Sequence, residues 1–549
     1  MASSKEVDSR LNTTLKTPSG CHFSQVIAVT QGSINQSLLM LFNEREELAK
    51  VSIKHPVGKM EAELRSGTVT IPVDGNNLGT VYYHCRFLSG WVKLYDDDEG
   101  ELGKPIDIKD WDFAFSIDIS SINMDPNSPE YDAVKNVIHQ PGDYSITRLY
   151  LDFNTARIVN FSEKDSSFNG RKWKNANEKG YFINLMQKWG NPNNSIMANP
   201  KNTTVGYAAV TDNPGAVNRI APTFPPTSLI FQRYPYTPPE GKPHQGADEK
   251  GDRNMLLYLE MTDNDPLPSE RMLLLNSGNF AIPGMGGTIC ISRKNFWDKF
   301  LNRGPTPGLQ QLLRVFNEAT FAWVKWVEVS DNIFLLSANA EYGVGQGSGL
   351  DSEKDFYAWE KDGNLGWKWE KSGHEKKVKG WEDAFDRTNE VWCNTSNKIS
   401  IIPGKDVAKI SGKTTLKHKV NSHTVGAGEG FEAVASMSWD LDLTLVSVHE
   451  GGMQITLDIP ADKTELFKIS SYQDSWPLNI HQEAAEHMNN SLKGSIERSP
   501  FDQVKRHLES ALKGTARFVL PGAKTFFYKN AMFNNNGDVL LQLEYDGVS

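Results

Sequence analysis

Hydrophobic positions change their period along this chain, and the changes mark out its elements. In residues 111–120, WDFAFSIDIS, the side chains Trp111, Phe113, Phe115, Ile117 and Ile119 alternate with Asp112, Ala114, Ser116, Asp118 and Ser120. A period of two sends the first set to one side of a strand and the second to the other, as in an antiparallel sheet with one buried and one wet face. Segments 81–93 and 144–153 follow the same rule, strands are expected at 23–30, 516–520, 525–528 and 539–545, and an ordered segment is expected at 255–261. The plainest hairpin is 436–460. Met437, Trp439, Leu441, Leu443 and Leu445 alternate with polar residues, Glu450-Gly451-Gly452 turns the chain, and Met453, Ile455, Leu457 and Ile459 alternate back. A second hairpin is predicted over 356–370 around Asp362-Gly363-Asn364, with Trp359, Trp367 and Trp369 on its arms. These rings serve cross-strand packing, with a sugar-stacking platform as the alternative.

Elsewhere the period lengthens to that of a helix. Ile34, Leu38, Leu41 and Phe42 fall on one helical face after Ser33, a good cap. A short helix is expected at 181–189 within the polar stretch 154–218. Ser292 caps a helix at SRKNFWDKF, which resumes over 309–326 after Gly304, Pro305 and Pro307. Ile480, Ala484, Met488 and Leu492 recur every four residues. Ser499-Pro500 opens a last helix with Phe501, Val504, Leu508 and Leu512 as its stripe. Long antiparallel strands with a few amphipathic helices laid on them define an α+β plan, without the strand–helix–strand repeats of a doubly wound fold. Residues 1–220 read as an N-terminal α+β region and 255–549 as a C-terminal one. Between them, 221–254 reads as a Pro-rich linker or surface loop, with seven prolines from Pro222 to Pro243. The two regions are compatible with one continuous elongated body.

Composition narrows the function classes. The chain has 549 residues and a formal net charge of −10, which argues against a nucleic-acid partner. The one basic run, 405–419, reads as a solvated strand face. Cys21, Cys85, Cys290 and Cys393 are scattered and form no CxxC, so free thiols and a reducing, cytoplasmic location are expected. The N-terminus lacks the apolar region of a signal peptide, and no run of eighteen apolar residues predicts a membrane-spanning helix.

No catalytic signature emerges. Ser411–Thr415, SGKTT, lacks the first glycine of a phosphate-binding loop, because Val407 stands there. The glycines of 343–349 miss dinucleotide-loop spacing. His481 and His487 are six apart, whereas a zinc helix needs four. No cofactor and no metal site is expected, and the chain is not read as an enzyme.

Residues 24–42 (SQVIAVTQGSINQSLLMLF), 143–156 (DYSITRLYLDFNTA), 286–301 (GGTICISRKNFWDKFL), 436–445 (SMSWDLDLTL) and 518–545 resemble distant relatives of the tubular lipid-binding superfamily. They are similar to fungal and bacterial homologues of the accessory proteins of clostridial neurotoxin clusters. The matching segments cover under a quarter of the chain. The resemblance implies curved antiparallel sheets wrapped around amphipathic helices, enclosing an apolar groove that binds a lipid or another hydrophobic molecule without catalysis. Ile34, Leu38 and Leu41 on the helix, and Trp439, Leu441 and Leu443 on the hairpin, are the expected groove lining. Transient membrane contact and homo-oligomerisation stay open. So do two alternatives: a structural or self-assembling protein with a dry core, and an enzyme whose residues converge only in three dimensions.

Overall fold

The computed structural model describes the chain except residues 1, 75–78, 139–143, 192, 194, 212–225, 247, 269–273, 275–276, 302–308, 329–333, 341–355, 357, 382–384, 425–426, 448–452, 477–483, 504–505, 507–525 and 546–549. The fold is α+β, and its sheets are antiparallel throughout the named strands. The helices named here are α1 (Ser4–Leu11), α2 (Gln31–Glu44), α3 (Pro129–Ile138), α4 (Ala176–Trp189), α5 (Leu309–Thr320) and α6 (Ala484–Glu497).

A six-stranded central sheet runs in the order Ser228–Tyr234, Met255–Met261, Gln25–Thr30, Gly287–Ile291, Val539–Tyr545 and Phe526–Phe533. Its inner strands are apolar on both faces because both faces are covered: every residue of Gln25–Thr30, Met255–Met261 and Gly287–Ile291 is buried. Alternate residues enter different clusters. Ile27, Val29, Leu256, Tyr258, Ile289 and Leu541 join the main core. Val26, Ala28, Leu257, Leu259, Cys290 and Leu540 join a second one with Phe23 and Phe280. Arg10 of α1 closes that second side. Its buried guanidinium donates from Nε to the Phe280 carbonyl at 3.2 Å, and burial lowers its pKa to about 10.

The nine-stranded N-terminal sheet has the path Thr204–Thr211, Tyr144–Asp152, Asp112–Asn123, Thr80–Asp96, Gly58–Leu64 and Lys50–His55. Trp111, Phe113, Phe115, Ile117 and Ile119 are buried, as their period predicts. They meet α4 through T-shaped contacts of Phe182 with Trp111 (5.4 Å) and Phe113 (5.5 Å). The seven-stranded C-terminal sheet is built on Gly366–Trp381, Phe385–Ile401, Val407–Thr424 and Ala427–Ser447. Its inner face receives α5 and α6. Met453–Leu457 pairs back on Ala427–Ser447, as the hairpin predicts; the turn Glu450-Gly451-Gly452 lies outside the described residues.

Three expectations change. The linker segment contains the edge strand Ser228–Tyr234, whose prolines stop short of it on either side, as edge pairing permits. The helix expected over 309–326 stops at Thr320, and Ala322–Glu328 is a strand whose AWVKWVE run suits extended backbone. After α2 the chain forms a 3-10 turn at Glu46–Ala49 and then the hairpin Lys50–His55 with Gly58–Leu64. The segment 294–301 is π-helical, with Ser292 Oγ accepting from Asn295 N at 3.1 Å. Residues 343–349, the strand 516–520, and Ile480, Val504, Leu508 and Leu512 lie outside the described residues.

Candidate functional site

The apolar face of α2 builds one candidate site. The helix is capped one turn earlier than expected, by Thr30, whose hydroxyl accepts from Ser33 N at 3.3 Å. Its first two turns are fixed by polar contacts. Gln31 Oε1 accepts from Ile71 N at 2.7 Å, and Asn35 both accepts from Val69 N (2.7 Å) and donates to Val69 O (3.1 Å). The second half presents Leu38, Leu41 and Phe42 to a small void of about 20 Å³, walled also by Leu48, Leu64, Tyr83, Leu151 and Met197. Arg65, Asn202 and Thr203 complete its lining. Gly67 is needed there, since a Cβ would stand 2.1 Å from the Tyr83 hydroxyl. Asn202 is held by Arg45 (2.8 Å) and by the Ile196 carbonyl (2.8 Å). Among the described residues Thr203 Oγ1, which is buried, has no hydrogen-bond partner, which is costly unless something else bonds it.

The other half of the expected lining is elsewhere. Trp439, Leu441 and Leu443 lie on the inner face of the C-terminal sheet, each at most 3% exposed. Trp439 contacts Phe316 of α5 and Phe467, both at 5.8 Å. Ile34 is buried in the same continuous core but does not line the void beside Leu38 and Leu41. The tryptophan hairpin forms at Glu360–Lys361 with Gly366–Trp381. Its rings turn inward: Trp367 meets Trp297 at 4.8 Å and Trp369 stacks on Phe356 at 5.8 Å. Packing, not a platform, is their role.

Two constellations were invisible in the sequence. Thr70 Oγ1, His84 Nε2 (3.1 Å) and, from His84 Nδ1, Asp112 Oδ1 (3.1 Å) form a hydroxyl–imidazole–carboxylate chain. Thr70 is 2% and His84 4% exposed, so the chain bonds three neighbouring strands together and offers no exposed nucleophile. A larger polar cleft of about 740 Å³ lies between Tyr95–Lys109 and the start of α4. Lys174 bridges Asp96 (3.0 Å) and Asp98 (2.6 Å) across it and holds the Asp96 carboxyl below its ordinary range. Among the described residues no group of three or more His, Cys, Asp or Glu could hold a metal ion. Ser411–Thr415 is extended within Val407–Thr424, not a phosphate loop. No helix of the described residues is long and apolar enough to cross a membrane.

The fold defines an α+β protein of antiparallel sheets closed by short helices. No family model matches the chain, and no curated protein does. Solved structures do show a distant likeness. P47 from Clostridium botulinum A2 is 12% identical with a TM-score of 0.44, over 95% of this chain and 97% of that one. P47 of Clostridium botulinum E1 is 11% identical with a TM-score of 0.41, over 95% and 99%. A lipopolysaccharide binding protein is 10% identical with a TM-score of 0.28, over 96% and 99%. At these values the functional reading rests on this chain's own residues.

Proposed function

We propose that this protein is a non-catalytic binder of a lipid-like amphiphile, taken up between the second half of α2 and the N-terminal sheet. The observation that carries the reading is the void behind Leu38 and Leu41: apolar walls surround an unpartnered buried hydroxyl, Thr203. As it stands the void holds no more than a water. Uptake therefore requires the second half of α2, beyond the polar contacts of Gln31 and Asn35, to move off the sheet. An amphiphile's chain would replace the contacts of Leu38 and Leu41, and its polar end would meet Thr203 and Arg65. The test is binding of a fluorescent fatty acid, with mass spectrometry of lipid retained by the purified protein. Wild type should bind, and Leu38→Trp, which fills the void, should bind about tenfold less. A wild type that takes up no probe and carries no lipid removes the reading.

The C-terminal half supports the structural alternative for its own part. Trp439, Leu441 and Leu443 meet other side chains in a filled interior, which is what a dry scaffold requires.

A further inference from the structure

The polar groups around the α2 void bear on the charge of whatever occupies it. None of the residues lining the void is an aspartate or glutamate, and Arg65 is the one lining residue with a formal charge. Three side chains of the lining have donors to spare. Thr203 is 1% exposed, and among the described residues its hydroxyl has no partner. Tyr83 is 6% exposed, and its hydroxyl makes no hydrogen bond among the described residues. Burial pushes the Tyr83 pKa well up, so that hydroxyl keeps its proton and remains a donor. Arg65 donates from Nη2 to Asp110 Oδ1 at 2.5 Å, while its Nε and Nη1 make no hydrogen bond among the described residues.

The remaining polar groups do not supply the missing acceptor. Asn202 Oδ1 already accepts from Arg45, and its amide donates to the Ile196 carbonyl. Arg45 is the C-cap of α2, where its charge offsets the negative end of the helix. The acids flanking it in the chain, Glu44, Glu46 and Glu47, are exposed, and Glu47 comes no nearer to Arg45 than 3.8 Å. The Arg65–Asp110 pair stands at the mouth of the void, with 43% and 44% of the two side chains exposed. An exposed pair of this kind contributes little, so a head group reaching Arg65 from inside can displace Asp110.

Spare donors call for acceptors. A carboxylate is acceptor-only, and its two oxygens match the fork of a guanidinium. An alcohol brings one oxygen and a donor that finds no carboxylate. A quaternary ammonium brings the wrong sign beside Arg65. The cover of the void is narrow, formed on α2 by Leu38, Leu41 and Phe42, which suits one alkyl chain and not two.

We infer that the site selects a single-chain amphiphile with a carboxylate head, a free fatty acid, whose head group bonds Thr203, Tyr83 and Arg65 in place of Asp110. The inference rests on the amphiphile reading above and adds the charge of the ligand. Its test is isothermal titration calorimetry of the full-length protein with dodecanoate, dodecanol and dodecyl phosphate, each below its micelle concentration. Dodecanoate should bind about tenfold more tightly than dodecanol. Arg65→Gln should loosen dodecanoate about tenfold and leave dodecanol unchanged. Asp110→Asn, which frees Arg65 from its competitor, should tighten dodecanoate about threefold and also leave dodecanol unchanged. A merely structural Arg65–Asp110 pair would shift both ligands alike and in the same direction in both variants. Both residues are exposed, and thermal unfolding checks that the variants fold. If neither dodecanoate nor dodecanol binds, the amphiphile reading falls and this inference with it. If dodecanol binds as tightly as dodecanoate, the amphiphile reading stands and the carboxylate assignment fails. The assignment also fails if Arg65→Gln keeps the preference, if Asp110→Asn leaves dodecanoate binding unchanged, or if dodecyl phosphate binds more tightly than dodecanoate.

Discussion

Glu260 is the residue whose environment departs furthest from its sequence neighbourhood. It stands within the apolar run MLLYLEM of the central sheet, 2% exposed, with Gln25 Nε2 donating to its carboxyl at 2.5 Å. Burial pushes its pKa up to about 8. Below the ordinary carboxylate range both folded and unfolded chains hold the proton. Between about 4.5 and about 8 only the folded chain does, so stability falls as pH rises through that window and levels off above it. Glu260→Gln keeps the acceptor for Gln25 and cannot ionise. In urea titrations its advantage over wild type should be near zero at about pH 4 and reach on the order of 4 kcal/mol at about pH 8. Glu318 shifts the same way, to about 7, but is common to both proteins. Thr203→Val tests the orphaned hydroxyl: removing it should raise the ligand-free protein's stability by about 1 kcal/mol while weakening amphiphile binding. Neither residue could be singled out beforehand. A glutamate among apolar neighbours shows in a sequence, but its hydrogen-bond partner 235 positions away does not.

At the scale of elements, strict alternation was the readable signal. It located Asp112–Asn123, Thr80–Asp96 and Met453–Leu457 to within a few residues, and the C-terminal half of Ala427–Ser447, which begins well before the predicted arm at Met437. The same signal is present in Lys50–Leu64, for which no element was predicted: Val51, Ile53, Met60, Ala62 and Leu64 are buried in alternation. The junction of α5 with Ala322–Glu328 was not readable, since no Gly or Pro marks it. Its cause is tertiary. The Thr320 carbonyl accepts from Thr395 Oγ1 (3.2 Å) and Thr414 Oγ1 (2.5 Å), and Thr395 Oγ1 also accepts from Ala322 N (3.1 Å). Hydroxyls of two C-terminal strands thus satisfy the backbone at the point where helix becomes strand. Thr395→Val should cost about 1–3 kcal/mol in denaturant unfolding, by leaving a buried N–H unpaired. Thr203→Val, the same chemical change at an unpartnered site, should have the opposite sign.

For the whole molecule, the central sheet settles how the parts depend on one another. Gln25–Thr30 pairs on one side with Met255–Met261 and on the other with Gly287–Ile291, and the C-terminal strand Val539–Tyr545 extends the same sheet. Deleting residues 526–549 would strip Gly287–Ile291 of its outer partner and open both apolar clusters. The expected outcome is loss of soluble protein, not a stable shortened fold, checked by size-exclusion chromatography. The α+β class was legible from periodicity. The closing of the chain's two ends into one sheet was not, because strand pairing across more than two hundred residues leaves no local trace. The α2 stripe was legible as buried, while the void behind it depends on Tyr83, Leu151 and Met197, which no spacing relates to Leu38.

That arrangement also has a consequence for how the chain is made. The strand Gln25–Thr30 leaves the ribosome before both of its neighbours, which follow more than two hundred residues later. At typical synthesis rates of about 5–20 residues per second, it waits ten seconds or more with both edges bare. The QVIAVT segment is β-prone and uncharged, and its nascent form is the species that a folding helper would need to shield.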